Sequence, residues 1–218
     1  MTIQDIVRDH FNKEAARFDA IYDGDKPLMQ RLVDSFRKVV VERLRLICNL
    51  APLPGPWTAL DVGCGSGRYG IAFARLGATR SVGIDVASAM IDLATAEAER
   101  AGVGKQCSFE TVEFLDYRSD QPFDAVVAMG YFDYLDVPEP HVQKMLTLCR
   151  GRAFFSFPKR WDARVPVRML RFALRKSYVR FYSRGEIARL MAGAGVAADR
   201  WSLIDFDRDW IVVVRVAP

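Results

Sequence analysis

The spacing of apolar residues changes character along the chain. At the start they recur with helical period, through Ile6, Val7, Phe11, Ala15 and Phe18. A second helical stretch runs from Leu28 to about Cys48, and Gly24 and Pro27 break the two. Ala51-Pro52-Leu53-Pro54-Gly55-Pro56 then forms a rigid connector that cannot continue a helix. Beyond it, short apolar runs alternate with amphipathic stretches. The runs predict strands at 59–62, 81–85, 107–112, 125–129 and 152–157. Helices are expected to start near Arg68, Ser88 and Asp136, the first two stopping near Gly77 and Gly102 and the third near Gly151. A further helix from Ser183 to about Ala194 precedes two closing strands, about 199–206 and 210–216, joined across Asp207-Arg208-Asp209.

Alternating βα units predict a mostly parallel sheet held between helical layers. Two strands joined by so short a connection pair antiparallel. The expected fold is therefore α/β, a three-layer αβα sandwich. Its sheet is seven-stranded and mostly parallel, with a C-terminal antiparallel hairpin. Residues 1–50 are expected to form an N-terminal helical arm or lid, and 51–218 the main domain, with a basic helical insertion at about 159–182.

The chemistry concentrates where the first predicted strand ends. Asp61-Val62-Gly63-Cys64-Gly65-Ser66-Gly67 reads as a strand running into a glycine-rich turn that opens a helix. Glycine lets backbone approach a ligand closely, and the helix start presents free N–H groups. Asp85 follows Gly65 by 20 residues, at the end of the second strand, where a carboxylate reaches a ribose diol. A nucleoside-containing cofactor is expected. Two readings of the glycines compete. Gly65, Gly67 and Gly70 spell the G-x-G-x-x-G of dinucleotide sites, a weak signal alone. Gly63, Gly65 and Gly67 spell G-x-G-x-G behind Asp61. A pyrophosphate over the turn would be repelled by that carboxylate, whereas a cofactor bearing an ammonium and a sulfonium would be attracted.

The D-x-G-x-G-x-G string resembles the first motif of class I S-adenosylmethionine-dependent methyltransferases, and Asp85 falls where their ribose-binding acid falls. The resemblance covers roughly residues 59–160 by motif and the closing hairpin by pattern. It implies that Gly63, Cys64, Gly65 and Gly67 cradle the methionine part of S-adenosylmethionine, with S-adenosylhomocysteine as product. Asp61 would then lie close to the ammonium and Asp85 on the ribose. Val86, Ala87 and Met90 would line the adenine pocket, and Glu113 with Phe114 would read the purine edge, Asp116 being the competitor for Glu113. Met129 and Gly130 would pass near the sulfonium, and Tyr22 would fold over the carboxylate end. Asp124, in Phe123-Asp124-Ala125-Val126-Val127, is expected to be structural.

Methyl transfer is an in-line displacement, so alignment and exclusion of water dominate, and a base is needed only when the nucleophile's proton must leave early. Tyr131, Tyr134 and His141, just past the fourth strand, are the catalytic candidates. For His141, near a helix start, surface or capping roles weigh more. The post-strand sequence Ala128-Met129-Gly130-Tyr131 lacks the Asn/Asp-Pro-Pro-aromatic element of amino-directed enzymes, which favours a small-molecule acceptor. Local phrasing around Ser108-Phe109-Glu110, Glu113-Phe114-Leu115 and 123–129 is similar to magnesium-protoporphyrin O-methyltransferases, although Gly130 replaces the acid expected there.

Composition narrows the picture further. The 218 residues suit one α/β domain with a modest extension. No apolar run approaches the ~20 residues of a membrane span. Met1-Thr2-Ile3-Gln4-Asp5 lacks the basic start and apolar block of a signal peptide, so a cytoplasmic setting is expected. Cys48, Cys64, Cys107 and Cys149 are scattered, and with His10 and His141 as the only histidines neither a zinc site nor a disulfide framework is expected. The net charge of +4 conceals an asymmetry, since ten basic residues lie between Lys159 and Arg189 against Asp162 and Glu186. If helical, Arg164, Arg168, Arg171 and Arg175 share one face. That points to an anionic or amphipathic acceptor, or to peripheral contact with anionic lipid. An RNA methyltransferase using 159–189, and a cofactor-binding protein without catalysis, are the alternatives.

Overall fold

The structure, a computed structural model, describes residues 8, 9, 12, 27–51, 54–160 and 179–216, with only the backbone for 27–38. The described elements begin with α1 (Pro27–Leu50), β1 (Trp57–Val62), α2 (Arg68–Arg75), β2 (Ala78–Asp85), α3 (Ser88–Arg100), β3 (Cys107–Thr111) and β4 (Phe123–Ala128). They continue with a short 3-10 turn (Phe132–Tyr134), α4 (Glu139–Thr147), β5 (Cys149–Pro158), α5 (Arg184–Gly193), β6 (Trp201–Phe206) and β7 (Asp209–Arg215).

One seven-stranded sheet runs in the order β3-β2-β1-β4-β5-β7-β6. Strands β1 to β5 pair in parallel, and β7 lies antiparallel between β5 and β6. The expected sandwich and terminal hairpin are both present. The chain winds outward from β1 to β3, then crosses back to β4 on the other side of β1. Ligands in open α/β sheets bind at such a reversal, beyond the strands' carboxyl ends. The turn at 63–67 and the segment after β4 both emerge there.

The two faces of the sheet bury different sets. Leu60, Val62, Val126, Phe155 and Val212 pack with α4 and α5, through Met145, Ile187 and Met191. Ala59, Ala125, Val127, Phe154 and Ile211 pack against Ile47, Tyr69 and Phe73 of α1 and α2. This alternation along strands buried on both sides is why they read as apolar runs.

Three boundaries differ from expectation. Helix α4 begins at Glu139, not near Asp136, because Pro138 and Pro140 set its start and a 3-10 turn occupies 132–134. It ends at Thr147, not near Gly151, and β5 begins at Cys149. Gly151 lies inside that strand where the register opposite Phe123 and Ala125 slips by one residue. A bulge explains a glycine that looked like a helix stop.

Several charges in the described part of the basic stretch are paired. Lys159 is buried, its ammonium 2.5 Å from Asp205 and 2.6 Å from the Asp207 carbonyl. Arg160 pairs with Glu186 at 2.6 Å and Arg184 with Asp205 at 3.4 Å. Asp205, an acid beyond Arg189, thus neutralises part of it. Residues 161–178, which hold the predicted basic helix face, lie outside the described residues. Among the described residues no helix is long and apolar enough to cross a membrane.

Candidate functional site

Pairing of β1 with β2 sets Val62 beside Ile84, so the glycine turn and Asp85 leave the sheet side by side. The amides of Gly63 and Cys64 both donate to the Ile84 carbonyl, at 2.8 and 3.0 Å, and Gly67 closes the turn on the Cys64 carbonyl at 2.9 Å. Positive φ at Gly63 (67°) and Gly67 (73°) already disfavours other residues there. Space forbids them as well. A Cβ on Gly63 would meet the Tyr131 ring at 2.7 Å, and one on Gly67 would meet Phe109 at 2.9 Å. Cys64 is buried beneath the turn.

Asp85 ties the turn to α3. Its carboxylate accepts from the Gly65 amide at 2.9 Å and from the Ala87 amide at 3.0 Å. Burial nevertheless raises its pKa, those amide bonds opposing the shift only in part. Asp61 sits deeper, 1% exposed, accepting from the Gly70 amide of α2 at 3.3 Å. Burial pushes it to about 7, with the charge of Asp85 adding to the rise. A buried carboxylate with one long amide bond has acceptor capacity to spare, which suits a neighbouring cation. Val86 is half-buried beside Asp85, and Met90 is buried against Ala87.

The turn after β3 lies next to these groups. The Val112 amide donates to the Asp85 carbonyl at 3.0 Å, and Asp116 N folds back on the Glu113 carbonyl at 2.9 Å. Glu113 is half-buried, and burial raises its pKa against the amides of Phe114 and Leu115, which donate to its carboxylate. Phe114 is buried.

On the other side of β1, Met129 packs with Tyr69 and Phe73, and the Gly130 amide donates to Ser156 Oγ at 2.7 Å. Tyr131 then turns its ring over Gly63 and places its hydroxyl 2.8 Å from His141 Nδ1. His141 is 5% exposed, which overturns the surface or capping reading. It lies in the first turn of α4, where Phe114 and Tyr131 cover it, their ring centroids 6.0 and 5.7 Å away. Burial lowers His141 to about 4, helped by Lys144, so the imidazole is neutral at physiological pH. Burial likewise raises Tyr131 well above the ordinary phenol value, with Glu113 and Asp85 adding to the shift. Tyr134 is half-buried in the adjoining 3-10 turn.

The residues expected at the site that the structure describes therefore gather at one end of the sheet. Tyr22 lies outside the described residues. Asp124 is structural, as expected. It sits at the opposite end of β4, where it accepts from Thr58 and pairs with Arg150 through both oxygens at 2.7 and 2.8 Å. No group of three or more His, Cys, Asp or Glu suited to a metal ion occurs among the described residues.

Two residues escaped sequence reasoning. Arg43 of α1 reaches the Tyr69 hydroxyl at 3.1 Å and Asp209 at 3.0 Å, securing the helix over the carboxyl end of the sheet. Lys144 of α4 grasps the turn after β3. The partners of Arg43 lie 26 and 166 positions away, which no periodic pattern reveals. For Lys144 the one available signal was its place a helical turn beyond His141.

Comparison with known proteins bears on this geometry. A family model described as "Methyltransferase domain" matches residues 59–151. The ubiquinone biosynthesis O-methyltransferase of Thiobacillus denitrificans is 31% identical over 170 residues, covering 72% of this chain and 71% of that protein. The protein of the same name from Paracidovorax citrulli is 39% identical over 117 residues, 52% of this chain. The chain spans 48% of that relative's length. Among solved structures, magnesium protoporphyrin IX methyltransferase from Synechocystis PCC 6803 with bound S-adenosylhomocysteine superimposes with a TM-score of 0.75. It is 22% identical, with 98% of this chain and 100% of that one covered, a likeness of fold. With the glycine turn, the acid ending β2 and the reversed strand order in place, the chain belongs to the class I S-adenosylmethionine-dependent methyltransferases.

Proposed function

We propose that this chain transfers the methyl group of S-adenosylmethionine to an oxygen of a small, anionic or amphipathic acceptor. The observation that carries the reading is the meeting, at one strand reversal, of a carboxylate-held glycine turn and a hydrogen-bonded pair of half-buried Tyr131 and buried His141. When bound, the cofactor supplies a methyl carbon already activated by its sulfonium. The cradle fits it on chemical grounds. Asp85, largely but not wholly buried, would take the ribose hydroxyls, and under-satisfied Asp61 would attract the ammonium. Gly63, Cys64, Gly65 and Gly67 would follow the methionine chain. Val86, Met90, Glu113 and Phe114 would hold the purine, with Met129 and Gly130 near the sulfonium and Tyr22 at the carboxylate end.

Tyr131, Tyr134 and His141 are assigned to the acceptor side. A neutral imidazole with a pKa pushed down to about 4 is a weak base. His141 therefore positions the Tyr131 hydroxyl, and that hydroxyl orients the acceptor oxygen. Such a pair suits an acceptor that ionises readily by itself, a carboxylate or an acidic phenol. The names of the O-methyltransferase relatives favour oxygen as the accepting atom.

The test is release of S-adenosylhomocysteine with matched carboxylates, catechols, phenols, amines and RNA. Turnover confined to the oxygen acids is expected, and Tyr131→Phe should lower kcat roughly tenfold or more while leaving cofactor affinity intact. Turnover with amines or RNA alone would overturn the assignment.

A further inference from the structure

Helix α4 reaches the turn after β3 through two side chains one helical turn apart. His141 stacks on Phe114 with the ring planes 27° apart. Lys144 donates to the carbonyls of Phe114, Leu115 and Tyr117, each at 2.7 Å. An ammonium has three protons, so its donor capacity is filled by this one turn. The same cation lies 5.1 Å from the centre of the Phe114 ring, close enough for a cation–π contact. Arg118 adds bonds to the Leu115 and Tyr117 carbonyls, both at 2.9 Å.

The turn is thereby sorted into two sides. Its carbonyls converge on cations, and its Phe114 and Leu115 amides face the Glu113 carboxylate. Ordering a long lysine side chain costs conformational entropy. Here it is ordered wholly against backbone, in a segment that borders Asp85. Its consequence is a fixed path for Glu113 and Phe114.

We infer that Lys144 is a positioning residue for the cofactor's purine, holding the 113–117 turn in the geometry that reads the ring edge. This rests on the proposal that the site binds S-adenosylmethionine. A loosened turn would still contact the purine face but would discriminate its edge poorly.

The experiment compares S-adenosylhomocysteine with S-inosylhomocysteine, in which a carbonyl replaces the purine amino group, by titration calorimetry on the full chain. Wild type is expected to prefer the adenosyl compound by about tenfold or more, the discrimination a hydrogen-bonding edge supplies. In Lys144→Met the adenosyl affinity should fall about tenfold and the preference should approach unity. Its kcat at saturating cofactor should stay within about twofold, a loss of binding and not of chemistry. A variant with a lowered Tm but an unchanged preference would show Lys144 to be merely structural and overturn the inference. Should Lys144→Met fail to fold, Lys144→Arg decides, since its planar fork keeps the charge but cannot converge on the same carbonyls. A fallen preference there supports the inference, and an unchanged one overturns it. Wild type that binds neither compound would refute the cofactor reading itself.

Discussion

The two halves of the site solve opposite electrostatic problems. On the cofactor side, Asp61, Asp85 and Glu113 are carboxylates bonded to backbone amides, and burial raises all three. Their negative charge is incompletely satisfied until a ligand brings donors or a cation. On the acceptor side, Tyr131 and His141 are polar groups that satisfy each other under a cover of aromatic rings, and burial holds both neutral. One half is poised to attract and the other to exclude water while a nucleophile is aligned. On the proposed assignment, the difference would let one strand reversal bind a cationic cofactor and still leave a low-polarity surface for the acceptor.

The contrast can be broken most severely through pH. The unfolded Asp61 ionises near 3.8 while the folded one keeps its proton to about 7, so the folded state binds more protons and its stability falls as pH rises through that window. His141 acts in reverse. Unfolded, it takes a proton below 6.5, and folded only below about 4, so stability rises with pH across that interval. Each contributes a slope of about 1.4 kcal/mol per pH unit, and between about 4 and 6.5 they oppose each other. Denaturant titrations should therefore show Asp61→Asn gaining stability with pH over this range and His141→Gln losing it. At pH 8, Asp61→Asn should exceed wild type by a few kcal/mol while binding S-adenosylhomocysteine about tenfold more weakly. Parallel profiles in all three proteins would dismiss the opposition.

A smaller effect probes the point where the halves touch. Gly63→Ala drives a methyl into the Tyr131 ring and strains a positive φ, and should cost about 2 kcal/mol. In a Tyr131→Leu background about 1 kcal/mol of that cost should vanish, leaving the backbone part. Additive effects would mean that the two sides do not press on each other. Smallest of all, Tyr131→Phe removes one buried hydrogen bond and should cost about 1 kcal/mol in stability.

How much of this was legible in the sequence follows the same division. The segments proposed for the cofactor could be placed in the fold because their residues lie within short stretches whose spacing is set by backbone geometry. Gly63, Gly65 and Gly67 mark a turn, and Asp85 ends the adjacent strand. The layers and the hairpin were readable for a related reason, since strands buried on both faces leave apolar runs. The residues proposed for the acceptor side, Tyr131, Tyr134 and His141, were named from their place after the fourth strand, but their packing was not legible. His141 near two prolines looked like a surface residue, and only the packing of Phe114 and Tyr131 over it makes it buried. Lys144 and Arg43 carried no pattern in the sequence, and each is committed to groups far away along the chain, the turn after β3 for Lys144 and Tyr69 with Asp209 for Arg43. Gly151 looked like a helix stop because a bulge and a turn favour the same residue.

The most direct test of the central claim is calorimetric titration of wild type and Asp85→Ala with S-adenosylhomocysteine, alongside NADH. The account predicts micromolar binding of S-adenosylhomocysteine to wild type and a loss of about a hundredfold or more in Asp85→Ala, where both ribose hydroxyls would lose their acceptor, and no NADH signal, since Asp61 would repel a pyrophosphate. Tight NADH binding, or S-adenosylhomocysteine affinity untouched by the substitution, would contradict it.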